Sequence, residues 1–210
     1  MDVRQGDRTA PLLVLASASP RRVALLNMLG LPFVQRPSAA EAPLPGGPVD
    51  PSTWTREQAL AKARDVASTL ESGLVIGADT VVVLDGHVFG KPRDREHAAW
   101  MLARLSGRRH EVTTGVAVVD AASGRAEVGD TTTRVWMREL TPAEIDAYIA
   151  TGEPMDKAGA YAIQGLGATL VPRIEGCYFN VVGLPLSLLA DLLARFGIPV
   201  LHLYRREVQA

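Results

Sequence analysis

The stretch LLVLASASPRRVALL at residues 12–26 predicts the strand and helix with which an α/β fold begins. Its short apolar run ends in small polar residues, which is typical of a buried strand followed by a turn. Ser19 is expected to be the N-cap of the helix and Pro20 its first residue, because proline lacks the N–H group that would be unpaired there. Gly30 is expected to end this helix.

Two arginines follow in the first turn of this helix. Arg21 and Arg22 lie at the positive end of the helix dipole, where an exposed cation costs about 0.3–1 kcal/mol. This cost suggests that an anion binds nearby. The helix N–H groups, the hydroxyls of Ser17 and Ser19 and the two guanidinium groups could together hold a phosphate. A purely structural or solvated role for the two arginines is the alternative.

Length and composition indicate an ordinary globular protein. The chain has 210 residues, of which 47% are hydrophobic and 21% are charged. We expect a single domain over residues 1–210, with residues 1–10 as a flexible N-terminal tail. The formal net charge of −1 argues against the broad basic surface that binds nucleic acid or a membrane. Any anion site must therefore be local.

Cysteine usage and the first residues indicate the compartment. Cys177 is the single cysteine, so the chain cannot form an internal disulfide, and we expect a small buried apolar side chain there. Residues 1–11 lead into an apolar run that is too short for a secretory signal or a membrane span. We therefore expect a reducing compartment, the cytoplasm.

Alternating strand-like and helix-like segments predict an α/β fold whose central mixed β-sheet is flanked by helices. A stretch rich in proline, glycine and alanine is expected to form a long surface loop, which in compact domains is often a binding loop. The expected elements are a loop at 36–54, a helix from an N-cap at Thr55 to Gly73, two strands around an Asp85–Gly86 turn, a helix capped by Asp94, strands at 111–120 and 126–140, a helix from Thr141 to Gly152, a strand near 168–174 and a helix within 183–197.

Asp79, in the sequence VIGADT, is the most informative carboxylate. We expect it at the end of an apolar strand, where burying an unpaired charge is costly and where α/β proteins place ligand sites. A carboxylate that caps nearby backbone is the alternative. Lys91, in GKP, is expected on the strand beside the one that contains Asp79. The glycine spacing and the hydroxyl residue of a Walker motif are absent there.

Three further polar residues are weak signals singly. Lys62 lies within a helix, where a solvated lysine is the default, and Glu41 lies in the proline-rich loop. Gln164 lies in a loop rich in charged residues and glycines, where its amide could contact a base or ribose edge, or could bond only to backbone. His110 is expected to be structural rather than a ligand.

These candidates together contain the groups that phosphate chemistry needs. The cations would hold phosphate oxygens, and the carboxylates would hold a hard divalent ion and orient water. From the residues alone two classes of function remain, a nucleotide hydrolase and a non-catalytic nucleotide-binding or scaffold protein. The cations are Arg21, Arg22, Lys62 and Lys91, and the carboxylates are Glu41 and Asp79.

Six ordered motifs resemble the Maf family of nucleoside triphosphate pyrophosphatases over nearly the whole chain. The resemblance implies an α/β fold similar to that of inosine triphosphatase, a deep substrate cleft, a divalent cation (Mg²⁺ or Mn²⁺) and hydrolysis between the α and β phosphates. It also implies a homodimer and a link to septum formation. The motifs are LASASPRRVALL, VIGADTVVVLDG, GKPRD, LSGRRHEVTTGVAV, EPMDKAGAYAIQG and VVGLPL.

The resemblance also implies roles for single residues. Asp79 matches the proton acceptor of the family, and Arg21, Thr80 and Gln164 match positions linked to choice of substrate. The sequence DKAGAYAIQG, residues 156–165, resembles the branch that hydrolyses dTTP and UTP rather than the 7-methyl-GTP branch. The implied phosphate-binding residues are Ser17, Ser19, Arg22, Lys62 and Lys91, and the implied metal ligands are Asp79 and Glu41.

One position departs from the family pattern. Many relatives have a second acidic residue beside the one that matches Glu41, whereas here its neighbours are Ala40 and Ala42. The resemblance thus implies hydrolysis of dTTP and UTP, or of modified pyrimidine triphosphates, to a monophosphate and pyrophosphate. A non-catalytic nucleotide-binding regulator of septum formation is the alternative.

Overall fold

The computed structural model describes residues 11–40, 42–43 and 49–203. They form a mixed seven-stranded sheet of order β2-β1-β3-β5-β6-β7, with β4 paired to β3, so the predicted α/β fold with a central mixed sheet is confirmed. The strands are β1 (Leu13–Leu15), β2 (Phe33–Gln35), β3 (Leu74–Leu84), β4 (His87–Phe89), β5 (Arg109–Asp120), β6 (Ala126–Trp136) and β7 (Arg173–Glu175). The α-helices are α1 (Pro20–Asn27), α2 (Pro51–Ala67), α3 (Arg95–Leu105), α4 (Pro142–Ala150), α5 (Tyr178–Val182), α6 (Leu186–Arg195) and α7 (Val200–Leu203), and short 3₁₀ helices span Glu153–Asp156, Ala158–Ala160 and Gly165–Leu170.

Helices cover both faces of the sheet. Leucines of α1 and α6 pack on one face, and alanines of α2 pack on the other. A separate apolar cluster joins the hairpin of β3 and β4 to α3 and α4. This third cluster also includes Val112 of β5 and Val135 of β6, so all three clusters pack against the sheet. The expected flexible tail at residues 1–10 lies outside the described residues.

A gap in one edge of β3 positions the candidate site. One edge of β3 pairs with β5 along almost its whole length. The other edge pairs with β1 at Leu74–Ile76 and with β4 at Val82–Leu84. Within the described part of the chain, no strand pairs with residues 77–81 on that side. A cleft therefore opens into the sheet beside the middle of β3.

Two glycines let α2 lie unusually close to the sheet. A methyl group added at Gly77 would lie within 3.0 Å of backbone atoms of Ala59 and Ala63. One added at Gly115 would lie equally close to backbone atoms of Thr55 and to the following nitrogen. The two glycines lie close together on adjacent strands, since Gly77 of β3 pairs with Ala117 of β5 and Gly115 of β5 pairs with Asp79 of β3. The close approach brings the side chains of α2 to the cleft.

Replacement of Gly115 by alanine is expected to lower the free energy of unfolding by about 3 kcal/mol, because backbone atoms of α2 cannot move aside as a side chain can. Urea unfolding would measure the loss. Gly129→Ala on the neighbouring strand is the control, since its methyl group would meet the flexible side chain of Leu188, with Cδ1 at 2.8 Å, and no backbone atom among the nearest contacts. Equal losses in the two variants would contradict this account of helix packing.

The predicted start of α2 was wrong. Asp50, not Thr55, is the N-cap, and its carboxylate accepts from the Thr53 N–H at 2.8 Å. Pro51 then occupies the first helical position. Thr55 lies inside the helix, fully buried, and its hydroxyl donates to the Pro51 carbonyl at 2.8 Å. The aspartate-proline pair forms the stronger start signal because it supplies both a cap and a fixed φ angle.

Other local predictions were confirmed. Ser19 is the N-cap of α1, although its side chain makes no capping hydrogen bond. Asp85 and Gly86 both have positive φ, as a tight hairpin turn requires. Asp94 caps α3, and Thr141 forms a capping box with Glu144.

Short elements were not predicted or were displaced. Strand β2 and helix α5 had no prediction, because three to five residues give too little periodicity to detect. The strand expected near 168–174 is a 3₁₀ helix followed by β7. Both outer strands of the sheet, β2 and β7, are only three residues long. Among the described residues, no helix is long and apolar enough to span a membrane.

Candidate active site

A cavity of about 820 Å³ occupies the gap between β1 and β4. Nine of the ten residues predicted for the site line it, although they come from five separate parts of the chain. Glu41, the tenth, lies outside the described residues. The nine lining residues are Ser17, Ser19, Arg21, Arg22, Lys62, Asp79, Thr80, Lys91 and Gln164.

Asp79 and Lys62 form an ion pair at the wall of the cavity. The Lys62 Nζ atom of α2 lies 2.5 Å from Asp79 Oδ1, and each side chain is 16% exposed. The expectation that Asp79 ends its strand was wrong: it lies near the middle of β3, which continues because β5 pairs with both halves. The ammonium group offsets the cost of enclosing a carboxylate. Lys62, whose default interpretation was a solvated lysine, is therefore the ion-pair partner of Asp79.

Arg22 connects three elements around the cavity. Its Nε donates to the Gly183 carbonyl at 2.8 Å, one Nη to Ser17 Oγ at 3.3 Å and the other to Thr80 Oγ1 at 3.0 Å. Burial lowers the pKa of the Arg22 guanidinium; the charge of Asp79 opposes this effect, and the neighbouring Arg21 adds to it. An anion in the cavity would relieve both unfavourable contributions.

Thr80 is engaged with protein groups on two sides. Its hydroxyl accepts from Arg22 and lies 2.9 Å from the hydroxyl of Thr114 on β5. Thr114 in turn donates to the backbone carbonyl of Asn180 in α5 at 3.1 Å. Thr80 therefore holds the guanidinium of Arg22 in place at the edge of the cavity.

Arg21 crosses the cavity mouth to the loop after α4. Its Nη1 lies 3.0 Å from Asp156 Oδ2. Lys157 Nζ lies 2.6 Å from the other oxygen of Asp156 and donates to the Glu153 carbonyl at 2.5 Å. Helix α1 is thereby linked to the loop that contains Gln164. Asp156 and Lys157 were not among the residues predicted for the site, although both stand in the DKAGAYAIQG motif.

The charge around the cavity is strongly positive. Among its described lining residues five are basic and two are acidic, in a chain whose formal net charge is −1. The predicted local anion site therefore has the expected sign. The basic residues are Arg21, Arg22, Lys62, Lys91 and Lys157, and the acidic ones are Asp79 and Asp156.

One part of the cavity wall is apolar. Its valines and the ring of Tyr161 offer a surface on which a flat base or a sugar can pack. The Tyr161 hydroxyl lies 2.7 Å from Nε2 of His110, which is buried beneath the cavity. Burial lowers the pKa of His110 to about 4, so this histidine is neutral near pH 7 and structural, as predicted. The apolar residues that line the cavity include Val81, Val82, Val112, Ala162, Ile163, Val181 and Val182.

Gln164 and Lys91 lie at the margins of the cavity. The Gln164 side chain is exposed, lines the cavity and makes no hydrogen bond with any described residue. Lys91 was expected on a strand; it instead follows β4 by two residues, in the turn before α3. The preceding glycine and following proline keep that turn out of the sheet ladder.

The described residues could hold a divalent cation only if a bound ligand and water supplied most of the atoms that coordinate the ion. In the described ranges, no three histidine, cysteine, aspartate or glutamate side chains are grouped to hold a metal. Mg²⁺ commonly binds through one or two carboxylates, several waters and substrate phosphates. Asp79, next to a basic cavity, suits that arrangement as the carboxylate ligand.

The chain is similar to known proteins over most of its length. A family model described as Maf-like protein matches residues 12–196. A dTTP/UTP pyrophosphatase of Moorella thermoacetica is 57% identical over 188 residues, covering 90% of this chain and 96% of that protein. Another, of Pelotomaculum thermopropionicum, is 54% identical over 189 residues, covering 90% and 98%. A solved nucleoside-triphosphatase / dITP/XTP pyrophosphatase from Mycobacterium abscessus is 18% identical, with a TM-score of 0.42, and the match covers 60% of this chain and 74% of that one.

Proposed function

Because the chain belongs to the Maf family, we propose that it is a nucleoside triphosphate pyrophosphatase that hydrolyses dTTP and UTP to the nucleoside monophosphate and pyrophosphate. The relatives that are about half identical over nine-tenths of the chain are named for this activity. The observation that supports it most directly is the ion pair of Lys62 and Asp79 in a basic cavity of about 820 Å³. That volume accommodates a nucleotide.

The triphosphate would bind at the basic end of the cavity. The N-terminus of α1 with Ser17 and Ser19 supplies N–H and hydroxyl donors, and Arg22 supplies a fixed guanidinium. Lys62 and Lys91 would contact further phosphate oxygens from the opposite wall. Charge on the ligand offsets the repulsion between Arg21 and Arg22, which explains why the helix tolerates two cations at its positive end.

Asp79 would act as the general base. Its carboxylate takes a proton from a water molecule as the water oxygen forms a bond to the α-phosphorus. The bond from that phosphorus to the bridging oxygen then breaks, and pyrophosphate leaves with the electron pair. Lys62 holds the carboxylate in place and stabilises charge that develops on the phosphates.

We also propose a divalent cation, Mg²⁺ or Mn²⁺, as cofactor, with Asp79 as its ligand from the described chain. When bound with the substrate, such an ion would stabilise charge on the phosphates and lower the pKa of a bound water. A homodimer and a cytoplasmic location are further proposals that the family resemblance supports.

The base would lie at the apolar wall, within reach of Gln164. An amide has one donor group and one acceptor, which matches the paired acceptor and donor on the edge of uracil or thymine. Arg21 and Thr80 shape the same end indirectly, since Arg21 is bonded to the loop that contains Gln164 and Thr80 holds Arg22.

Replacing Gln164 by alanine is therefore expected to reduce the preference for UTP over GTP roughly tenfold, because a site that bonds to a base edge rejects bases that leave its groups unpaired. Measured kcat/KM values for both nucleotides would give the ratio. The kcat for UTP should change little, since Asp79 and Lys62 lie on other elements. An unchanged ratio of kcat/KM for UTP to kcat/KM for GTP in a folded variant would show that Gln164 does not select the base.

Pyrophosphate release by the purified protein with Mg²⁺ tests the whole proposal. The panel should contain canonical, methylated and inosine triphosphates, with Asp79→Asn as the inactive control. Selective turnover of UTP and dTTP is the expected result, and faster turnover of a methylated pyrimidine nucleotide would redefine the substrate. Nucleotide binding without turnover of any member would instead favour a non-catalytic regulator of septum formation.

A further inference from the structure

The cavity-lining residues 161–164 lie in a stretch without a strand or an α-helix. This 161–164 segment runs between two short 3₁₀ helices, Ala158–Ala160 and Gly165–Leu170. A sheet ladder or an α-helix would fix the position of such a segment by repeated backbone hydrogen bonds. The segment therefore needs side chains to fix it, and two such side chains lie behind it.

Tyr148 of α4 holds the first half of the segment. Its hydroxyl accepts from the Ala162 N–H at 3.2 Å and donates to Glu153 Oε1 at 2.8 Å. The tyrosine is 7% exposed. Burial, together with the bond to Glu153, raises its pKa, so the hydroxyl remains protonated and keeps both hydrogen bonds at neutral pH.

Glu153 holds the chain immediately after the segment. Its carboxylate accepts from the Leu166 N–H at 3.0 Å and from the Gly167 N–H at 2.9 Å, besides the Tyr148 hydroxyl. Burial raises the pKa of Glu153, but these hydrogen bonds outweigh it and the pKa is lowered overall. The carboxylate is thus ionised near pH 7 and is a strong acceptor.

The glycines that flank this arrangement are required for it. A methyl group added at Gly165 would lie 2.7 Å from Glu153 Oε2, and one added at Gly167 would lie 2.5 Å from the Tyr148 hydroxyl. The sequence GLG at 165–167 has no nucleotide-binding fingerprint around it. Its glycines instead allow two polar side chains to approach the backbone closely.

We propose that Glu153 and Tyr148 form a positioning pair that fixes the 161–164 segment and thereby sets discrimination between bases, an inference that rests on the proposed function. Gln164 lies between the two held points, two residues after Ala162 and two before Leu166. Neither member of the pair lines the cavity. They act on the ligand through the backbone, and the pair of Asp79 and Lys62 on β3 and α2 does not depend on them.

The test uses Tyr148→Phe and Glu153→Gln in the full-length protein, with kcat and KM measured for UTP and GTP. Each variant is expected to lower the UTP to GTP ratio of kcat/KM roughly fivefold to tenfold, mainly through a higher KM for UTP, while kcat for UTP stays within about threefold. Tyr178→Phe is the matched control, since this exposed tyrosine of α5 lies outside the cavity and its variant should retain the wild-type ratio.

The outcomes separate this proposal from a purely structural role. A lower melting temperature with an unchanged ratio would overturn it, as would equal losses of kcat for both nucleotides. Equilibrium binding of UTP and GTP without a divalent cation is measured in parallel. If the wild type hydrolyses nothing, the proposed activity fails, and the ratio of the two Kd values in each variant still decides whether the pair sets base discrimination. Should Glu153→Gln fail to fold, Tyr148→Phe decides alone.

Discussion

Asp79→Asn is expected to lower kcat for UTP by about a thousandfold, because a positioned general base contributes 10²–10⁴-fold to such reactions. Asparagine has nearly the same size and cannot accept the proton. The Lys62 ammonium would lose its anionic partner but would stay in the cavity, where it can still contact a phosphate. Nucleotide binding is therefore expected to stay within about tenfold of the wild type. Pyrophosphate release and equilibrium binding measure the two effects separately.

Asp130→Asn is a suitable control for this substitution. Asp130 on β6 is 19% exposed, compared with 16% for Asp79, and it pairs with Arg56 of the same helix that contains Lys62. It does not line the cavity. Its variant should retain turnover. Hydrolysis by Asp79→Asn at a similar rate to the control would show that Asp79 is not the base.

Arg22→Lys is expected to lower kcat/KM for UTP by a hundredfold or more, although the charge is kept. Arginine here bonds at once to the Gly183 carbonyl, Ser17 and Thr80. A lysine has one nitrogen and cannot span three separate partners. Each lost hydrogen bond to a charged group is worth about 1.5–3 kcal/mol. The residues after β1, strand β3 and the connection between α5 and α6 would no longer be joined by one side chain.

Steady-state kinetics and thermal unfolding together test this prediction. Arg56→Lys, at an arginine that is 42% exposed on its side chain and lies outside the cavity, controls for the general effect of the exchange. A drop in kcat/KM of less than tenfold in a folded Arg22→Lys variant would contradict the role that we give to the guanidinium geometry. A large loss of stability in that variant alone would show that Arg22 acts mainly as a structural tie.

The sequence predicted the fold well wherever local signals were long or chemically specific. Helix α4 has proline, threonine and glutamate at the positions that a capping box requires, and it begins where expected. The N-cap of helix α2 was predicted five residues too late, at Thr55 instead of Asp50, because Asp50 and Pro51 stand at the end of a proline-rich stretch. Strand β2 exists because β1 offers it a partner, which no local pattern reveals.

The site was predicted from residue types and from the family resemblance, and its pairings were not. In the sequence, Lys62 looks like any solvated lysine. Its pair with Asp79 depends on the close packing of α2 against the sheet, which the glycines of β3 and β5 allow. The contact between Arg21 and Asp156 joins residues that lie 135 positions apart. Long-range pairings of this kind depend on the packing of whole elements. Local sequence spacing therefore cannot predict them.

The very short outer strands have a consequence for solubility during folding. Exposed strand edges invite pairing with other chains, and in the folded chain β2 and β7 leave only three residues at each end of the sheet. On the edge of β3 that faces away from β5, β1 covers only Leu74–Ile76, through a pairing between segments that are far apart in the sequence. Until β1 has paired with it, the stretch LVIGADTVVVL of β3 exposes more unpaired backbone groups, which can pair with other chains. We therefore expect refolding at high protein concentration to lose chains to aggregation mainly before β1 has paired with β3.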